Sequence, residues 1–219
     1  MQVLKLAAFS DGPDGGNPAG VVIADTLPGD AEMQRTAAAV GFSETAFAAP
    51  MGTAWRVRYF SPENEVPFCG HATIALGAAL AQQHGDGIYP LTLNHAHITV
   101  EGRRAGALYT AALQSPPTRS QPAPAALVAE TLALLGYTEH DLDPRIPPAL
   151  AHGGADHLVL ALKTRSALAG YLRDLDWPHG GAIDVVQGED MGMRSLLHAE
   201  FSSQPGSSVR VSGTARLMA

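Results

Sequence analysis

One run, TIALGAALAQQ from Thr73 to Gln83, limits the fold more than any other part of the sequence. It is rich in Ala, a strong helix former, and its apolar residues cover nearly every face of a helix instead of one stripe. A helix that is hydrophobic all round belongs inside the fold, enclosed by the rest of the chain. With 219 residues, 46% of them apolar and 16% charged, there is enough material to enclose it in one large domain or two small ones.

The segments around that helix read mostly as strands. Val3 to Phe9 and Val21 to Ala24 are strand candidates separated by the turn-rich DGPDGGNPAG. Asp30 is placed as the N-cap of a helix running to Val40, where Gly41 stops it. Glu44 to Ala49 and Trp55 to Phe60 follow as strands, and SPENEVPFCGHAT has loop composition. Beyond the buried helix, Leu91 to Glu101 and Ala105 to Leu113 suggest a hairpin turning at Gly102–Arg104. SPPTRSQPAP reads as a linker. A helix from Ala125 to Leu135 ends at Gly136, His157 to Leu162 reads as a strand, and Ser166 to Leu175 is amphipathic. Three strand candidates close the chain: Ile183–Val186, Leu196–Phe201 and Val209–Leu217. This order predicts a two-lobed α+β protein without the regular strand–helix alternation of a doubly wound sheet.

Charge and cysteine content narrow the class of partner. A net charge of −7 and a pI near 5.6 supply no basic footprint for nucleic acid. Cys69 is the single cysteine, so no intrachain disulfide forms, and a reducing cytoplasm is the expected location. The N-terminal apolar run is too short for a signal peptide, and no window reaches 18 uninterrupted apolar residues. No P-loop or GxGxxG follows a strand, so no nucleotide cofactor is expected. A metal is not expected either, because His95 and His97 would share a strand face without a third ligand nearby.

Four local features carry possible chemistry. In GGNPAG, Gly15 to Gly20, Pro18 restricts Asn17 and so fixes where its amide points; an ordinary connecting turn is the simpler reading. In SETAF, Ser43 to Phe47, Glu44 precedes Ala46, Phe47 and Ala48, which would strip it of water. That setting suits a carboxyl group for acid–base work, unless the side chain points outward. In FCGHAT, Phe68 to Thr73, backbone N–H groups at the helix start, with Gly70 allowing close approach, form an anion site for a substrate carboxylate. There His71 could hold or shuttle a proton, and Cys69 would have a lowered thiol pKa if it faces the helix end; packing is the plainer role for both. QGEDMGMRS, Gln187 to Ser195, reads as a hairpin loop, since the adjacent Glu189 and Asp190 point in opposite directions.

Taken in order, GNPAGVV, GFSETAF, RYFSPENEVPFCGHATIALGAAL, QGEDMGMRSLLHAEF and VRVSGTARLM resemble the PhzF-like (phenazine biosynthesis) isomerase family of the diaminopimelate epimerase-like superfamily. The resemblance implies an α+β fold of two similar lobes, each a barrel-like, mostly antiparallel sheet around a central helix. Residues 1–115 would form the N-terminal lobe with Glu44 and the CGHAT helix start. Residues 116–219 would form a shortened C-terminal lobe whose last strand returns to the first. Carried over by position, Glu44 is the general acid–base and His71 its catalytic companion, while Asn17, Cys69, Gly70 and Ala72 contact substrate. The family's EDPATGSA-like segment, which supplies a second helix start facing the site, is absent from this sequence, where Lys163 to Leu172 runs straight on. The implied activity is a cofactor-independent proton shift on a small carboxylate-bearing metabolite, performed by a homodimer. Two alternatives stand beside it: an amino-acid epimerase or racemase using Cys69, and a weakly active or inactive small-molecule-binding homologue.

Overall fold

A computed structural model describes residues 2–163, 180–189 and 192–218. In chain order its elements are β1 (Leu4–Ala8), β2 (Asn17–Ile23), α1 (Asp30–Val40), β3 (Thr45–Met51), β4 (Ala54–Phe60), β5 (Glu65–Val66) and α2 (Gly70–His84). There follow β6 (Gly87–Thr92), β7 (His97–Ala105), β8 (Leu108–Gln114), β9 (Arg119–Pro122), α3 (Ala125–Leu135), β10 (Ala149–His152) and β11 (Asp156–Val159). The last three are β12 (Gly181–Gln187), β13 (Ser195–Phe201) and β14 (Arg210–Leu217).

The sheet order β1-β2-β3-β4-β6-β7-β8-β14 closes on itself, because β14 also pairs with β1 through Leu6↔Leu217, Ala7↔Arg216 and Ala8↔Ala215. An eight-stranded barrel is only wide enough for side chains to fill it, so a helix fits inside only if its own side chains are small. α2 meets that condition: Ala72 through Ala81 are all buried, and most are Ala or Gly. The helix packs on β1, β2, β3, β6, β7, β8 and β14, and Tyr59 of β4 reaches it through a hydrogen bond to Thr73. The fully apolar run therefore lies where its composition demands.

Two glycines permit this fit. A Cβ on Gly102 of β7 would come within 2.1 Å of the Gly77 carbonyl oxygen, and one on Gly77 within 2.6 Å of Val100 Cγ2. Gly102 is thus a contact glycine and not a turn residue. β7 runs through the expected turn at Gly102–Arg104 to Ala105, and the chain reverses at Gly106, whose φ is 65°. On the outer face of β3, Phe47 joins Val22, Met33, Ala37 and Phe60 in a second cluster beneath α1, while Ala46 and Ala48 face α2.

Three other expectations shift locally. α1 begins at Asp30 with Gly29 as its N-cap, and the Asp30 carboxylate pairs with Arg58 at 2.5 Å instead of capping. β2 starts at Asn17, inside the segment read as a turn. The Pro-rich linker contains β9, which joins β10 and β11 in a separate three-stranded sheet. β12 and β13 pair antiparallel, with Gln187 opposite Ser195, and extend the main sheet from β14; Asp190 and Met191 lie outside the described residues. The amphipathic segment Ser166–Leu175 lies outside the described residues. Among the described residues, no helix is long and apolar enough to cross a membrane.

Candidate active site at the barrel mouth

The starts of β2, β3 and α2 meet at one end of the barrel. β2 and β3 run parallel, with Gly20 opposite Thr45, and the Gly20 N–H donates to the Glu44 carbonyl at 3.1 Å. Glu44 is the residue before β3, and strand alternation puts its side chain on the same face as Ala46 and Ala48, toward α2. Its approach is fixed by Gly41, which ends α1 in a left-handed conformation, and by Phe42, whose ring lies under Lys5 Nζ at 5.7 Å.

The first turn of α2 is pinned from below. Thr73 Oγ1 donates to the Cys69 carbonyl at 2.7 Å, so its hydroxyl accepts from Tyr59 O–H, also at 2.7 Å. Burial holds the Tyr59 phenol well above its ordinary pKa, so it stays a donor. Phe68 stands edge-on to Tyr59 and fills the space where Gly154, at φ 107°, lacks a side chain. A cavity of about 220 Å3 beside Phe68 is lined by Leu93, His95, His152 and Asp156.

On this platform three groups converge. Glu44 Oε2 lies 3.5 Å from His71 Nε2, and the two side chains are 22% and 12% exposed. The other ring nitrogen, Nδ1, is 3.2 Å from Cys69 Sγ. One potential ligand atom from each of Glu44, Cys69 and His71 lies within 4.8 Å of the others. Ser43 Oγ approaches His71 Nε2 at 3.4 Å, and the Pro18 carbonyl also faces the ring. Sequence reading passed over Ser43 and Pro18; their position beside Glu44 and Asn17 within the two singled-out motifs was the available signal.

Burial lowers His71 below its ordinary pKa near 6.5, against the opposing pull of Glu44 and the Pro18 carbonyl, so a neutral imidazole is favoured at pH 7. For Cys69 the expected activation is overturned. Burial, reinforced by Glu44, raises its thiol pKa far above normal, and the Ala72 and His71 amides do not offset it. Its sulfur is enclosed in the core, so the helix end cannot make it a thiolate. Ala72 is fully buried and only its backbone can meet a ligand; Gly70 and Asn17 are half-buried at the same mouth. The three converging groups are close enough to surround a cation, but a helix N-terminus and a protonated thiol create a setting for an anion.

The profile of the PhzC-PhzF family, described as phenazine biosynthesis-like protein, matches residues 6–175. The chain belongs to the PhzC/PhzF family. It is 37% identical over 169 residues to the uncharacterized isomerase YddE of Escherichia coli K12, covering 74% of this chain and 56% of that relative. An uncharacterized isomerase of Deinococcus radiodurans is 51% identical over 80 residues, 36% of this chain and 26% of that one. This PhzC/PhzF member thus spans little more than half the length of YddE. A structure described as a predicted epimerase from Pseudomonas aeruginosa superposes with a TM-score of 0.86 at 19% identity, covering 99% of this chain and 96% of that one. A hydroxyproline epimerase from Agrobacterium vitis does so at 0.60 and 10% identity, covering 100% and 91%. Both likenesses are of fold: α+β, mostly sheet. The PhzC/PhzF barrel mouth offers a carboxylate, a neutral imidazole and a helix start, a set suited to gripping an anion and moving a proton beside it.

Proposed function

We propose that this PhzC/PhzF protein is an isomerase that moves a proton on a carbon of a small carboxylate-bearing metabolite, without a cofactor and with Glu44 as general acid–base. One observation carries the reading: the half-buried Glu44 carboxylate faces His71 at the N-terminus of the buried helix α2. Proton abstraction beside a carboxylate needs a base within reach and donors for the negative charge that develops. Glu44 is the base, the amides from Gly70 onward are the donors, and Asn17 and His71 orient the ligand. The relatives' description as isomerases is consistent with this. Its partners would be the small acid and a second copy of the chain.

The test is solvent deuterium incorporation. In heavy water, the protein is expected to exchange a C–H proton of at least one member of a panel of α-substituted and cyclic conjugated acids. No incorporation into any acid that binds would overturn the reading.

A second reading has its own support: the sequence contains no EDPATGSA-like segment. A single mouth would then bind small carboxylates without completing the reaction, giving calorimetric binding and no exchange. The buried, protonated Cys69 speaks against an epimerase or racemase that uses this thiol as a base.

A further inference from the structure

We propose that Cys69 is a positioning residue whose S–H donates to Nδ1 of His71 and so holds the ring proton on Nε2, facing Glu44. This deepens the proton-transfer reading of Glu44 and rests on it for its catalytic consequence.

Hydrogen-bond parity around the ring selects the tautomer. A neutral imidazole has one donor nitrogen and one acceptor nitrogen, and the groups around it decide which is which. Nδ1 is 3.2 Å from Cys69 Sγ. Burial keeps that sulfur protonated, so it has a hydrogen to give. Nε2 is 3.5 Å from a Glu44 oxygen and 3.4 Å from Ser43 Oγ, a hydroxyl that can donate or accept, and the Pro18 carbonyl, an acceptor, also faces the ring. The carboxylate can only accept, so a hydrogen on Nε2 is attracted to it and a lone pair there is repelled.

The thiol has a second acceptor within reach, the Glu44 carboxylate, which also meets Cys69. If S–H turned to Glu44, Nδ1 would lose its donor and could keep the sulfur contact only by carrying the ring proton and pointing it at sulfur. Nε2 would then set its lone pair against Glu44 Oε2 at 3.5 Å. The reverse assignment satisfies both contacts. It forms the chain Cys69 S–H to Nδ1, then Nε2–H to Glu44, and no covalent bond changes. Catalytically, Glu44 faces a donor that can follow the charge it gains or loses as it moves a proton. A ring of the other tautomer would oppose the ionised carboxylate. The pattern also gives Cys69 a role that needs no thiolate.

The tautomer is measurable without a substrate. Long-range 1H–15N correlation spectra of 15N-labelled protein distinguish Nε2–H from Nδ1–H, and His71→Gln identifies the resonance among the nine histidines. Wild type at neutral pH is expected to show His71 protonated on Nε2. Cys69→Ser keeps a donor and should preserve the pattern. Cys69→Ala should raise the Nδ1–H population roughly tenfold, the shift one hydrogen bond can impose. A wild-type ring protonated on Nδ1 overturns the proposal whatever the variants do, and so does a Cys69→Ala spectrum identical to wild type. Because no turnover is involved, a protein that exchanges deuterium into no acid would remove the proton-transfer reading and leave this outcome intact.

Discussion

Glu44 is half-buried yet faces a neutral ring, and burial makes the protonation of His71 costly. A His whose folded pKa is depressed binds fewer protons folded than unfolded between that lowered value and about 6.5, so stability falls on acidification through this window. Urea unfolding of wild type and His71→Gln, compared at pH 7.5 and pH 5, should show the variant losing less stability at the lower pH. Beside it, Thr45 Oγ1 is buried with no hydrogen-bond partner among the described residues, packed where Gly20 has no side chain. An unsatisfied buried hydroxyl costs about 1–3 kcal/mol, so Thr45→Val should raise the unfolding free energy by roughly 1 kcal/mol, read as a higher denaturant midpoint. Much at this scale was readable: the oddly placed Glu44 and the CGHAT turn both stood out by composition. The inward aim of Glu44 was not, because it depends on the register of β3 against β2. The burial of Cys69 agrees with packing, its plainer reading, while the contact of its sulfur with the His71 ring depends on where the barrel wall passes.

At the level of elements, α2 and its contact with β7 carry the sharpest test. A Cβ on Gly102 would meet the Gly77 carbonyl oxygen at 2.1 Å, a backbone atom held by the helix, whereas one on Gly77 meets the end of Val100 at 2.6 Å. Gly102→Ala should therefore cost roughly 1–3 kcal/mol or more, as overpacking does. Gly77→Ala should cost less, because Ala favours the helix by about 1 kcal/mol over Gly. Denaturant midpoints of the two variants check the order. The helix itself was plain in the sequence, since its composition admits no exposed face. Gly102 was read as a turn because a glycine needed for close approach and one needed for chain reversal look alike until the partner is known. The same ambiguity hid the strand start at Asn17 behind a Gly-rich run.

For the whole molecule, the closing strand comes from the end of the chain: β14 lies between β8 and β1, with Leu217 opposite Leu6. Such pairing leaves no trace in local periodicity, so the pattern of elements yielded only an α+β class, while the barrel-like sheet and the returning last strand were implied by the family resemblance alone. Removing residues 209–219 should open the barrel beside the buried Ala215 and abolish cooperative thermal unfolding, followed by circular dichroism. Closure also draws the starts of β2, β3 and α2 to one mouth, where Glu44, the proposed acid–base group, faces His71 at the start of α2. The most direct test of that claim is the rate of solvent deuterium incorporation into one bound acid, wild type against Glu44→Gln. Wild type is expected to exchange and the variant to lose roughly 10²-fold or more with its fold retained; equal exchange by both proteins would contradict the role of Glu44.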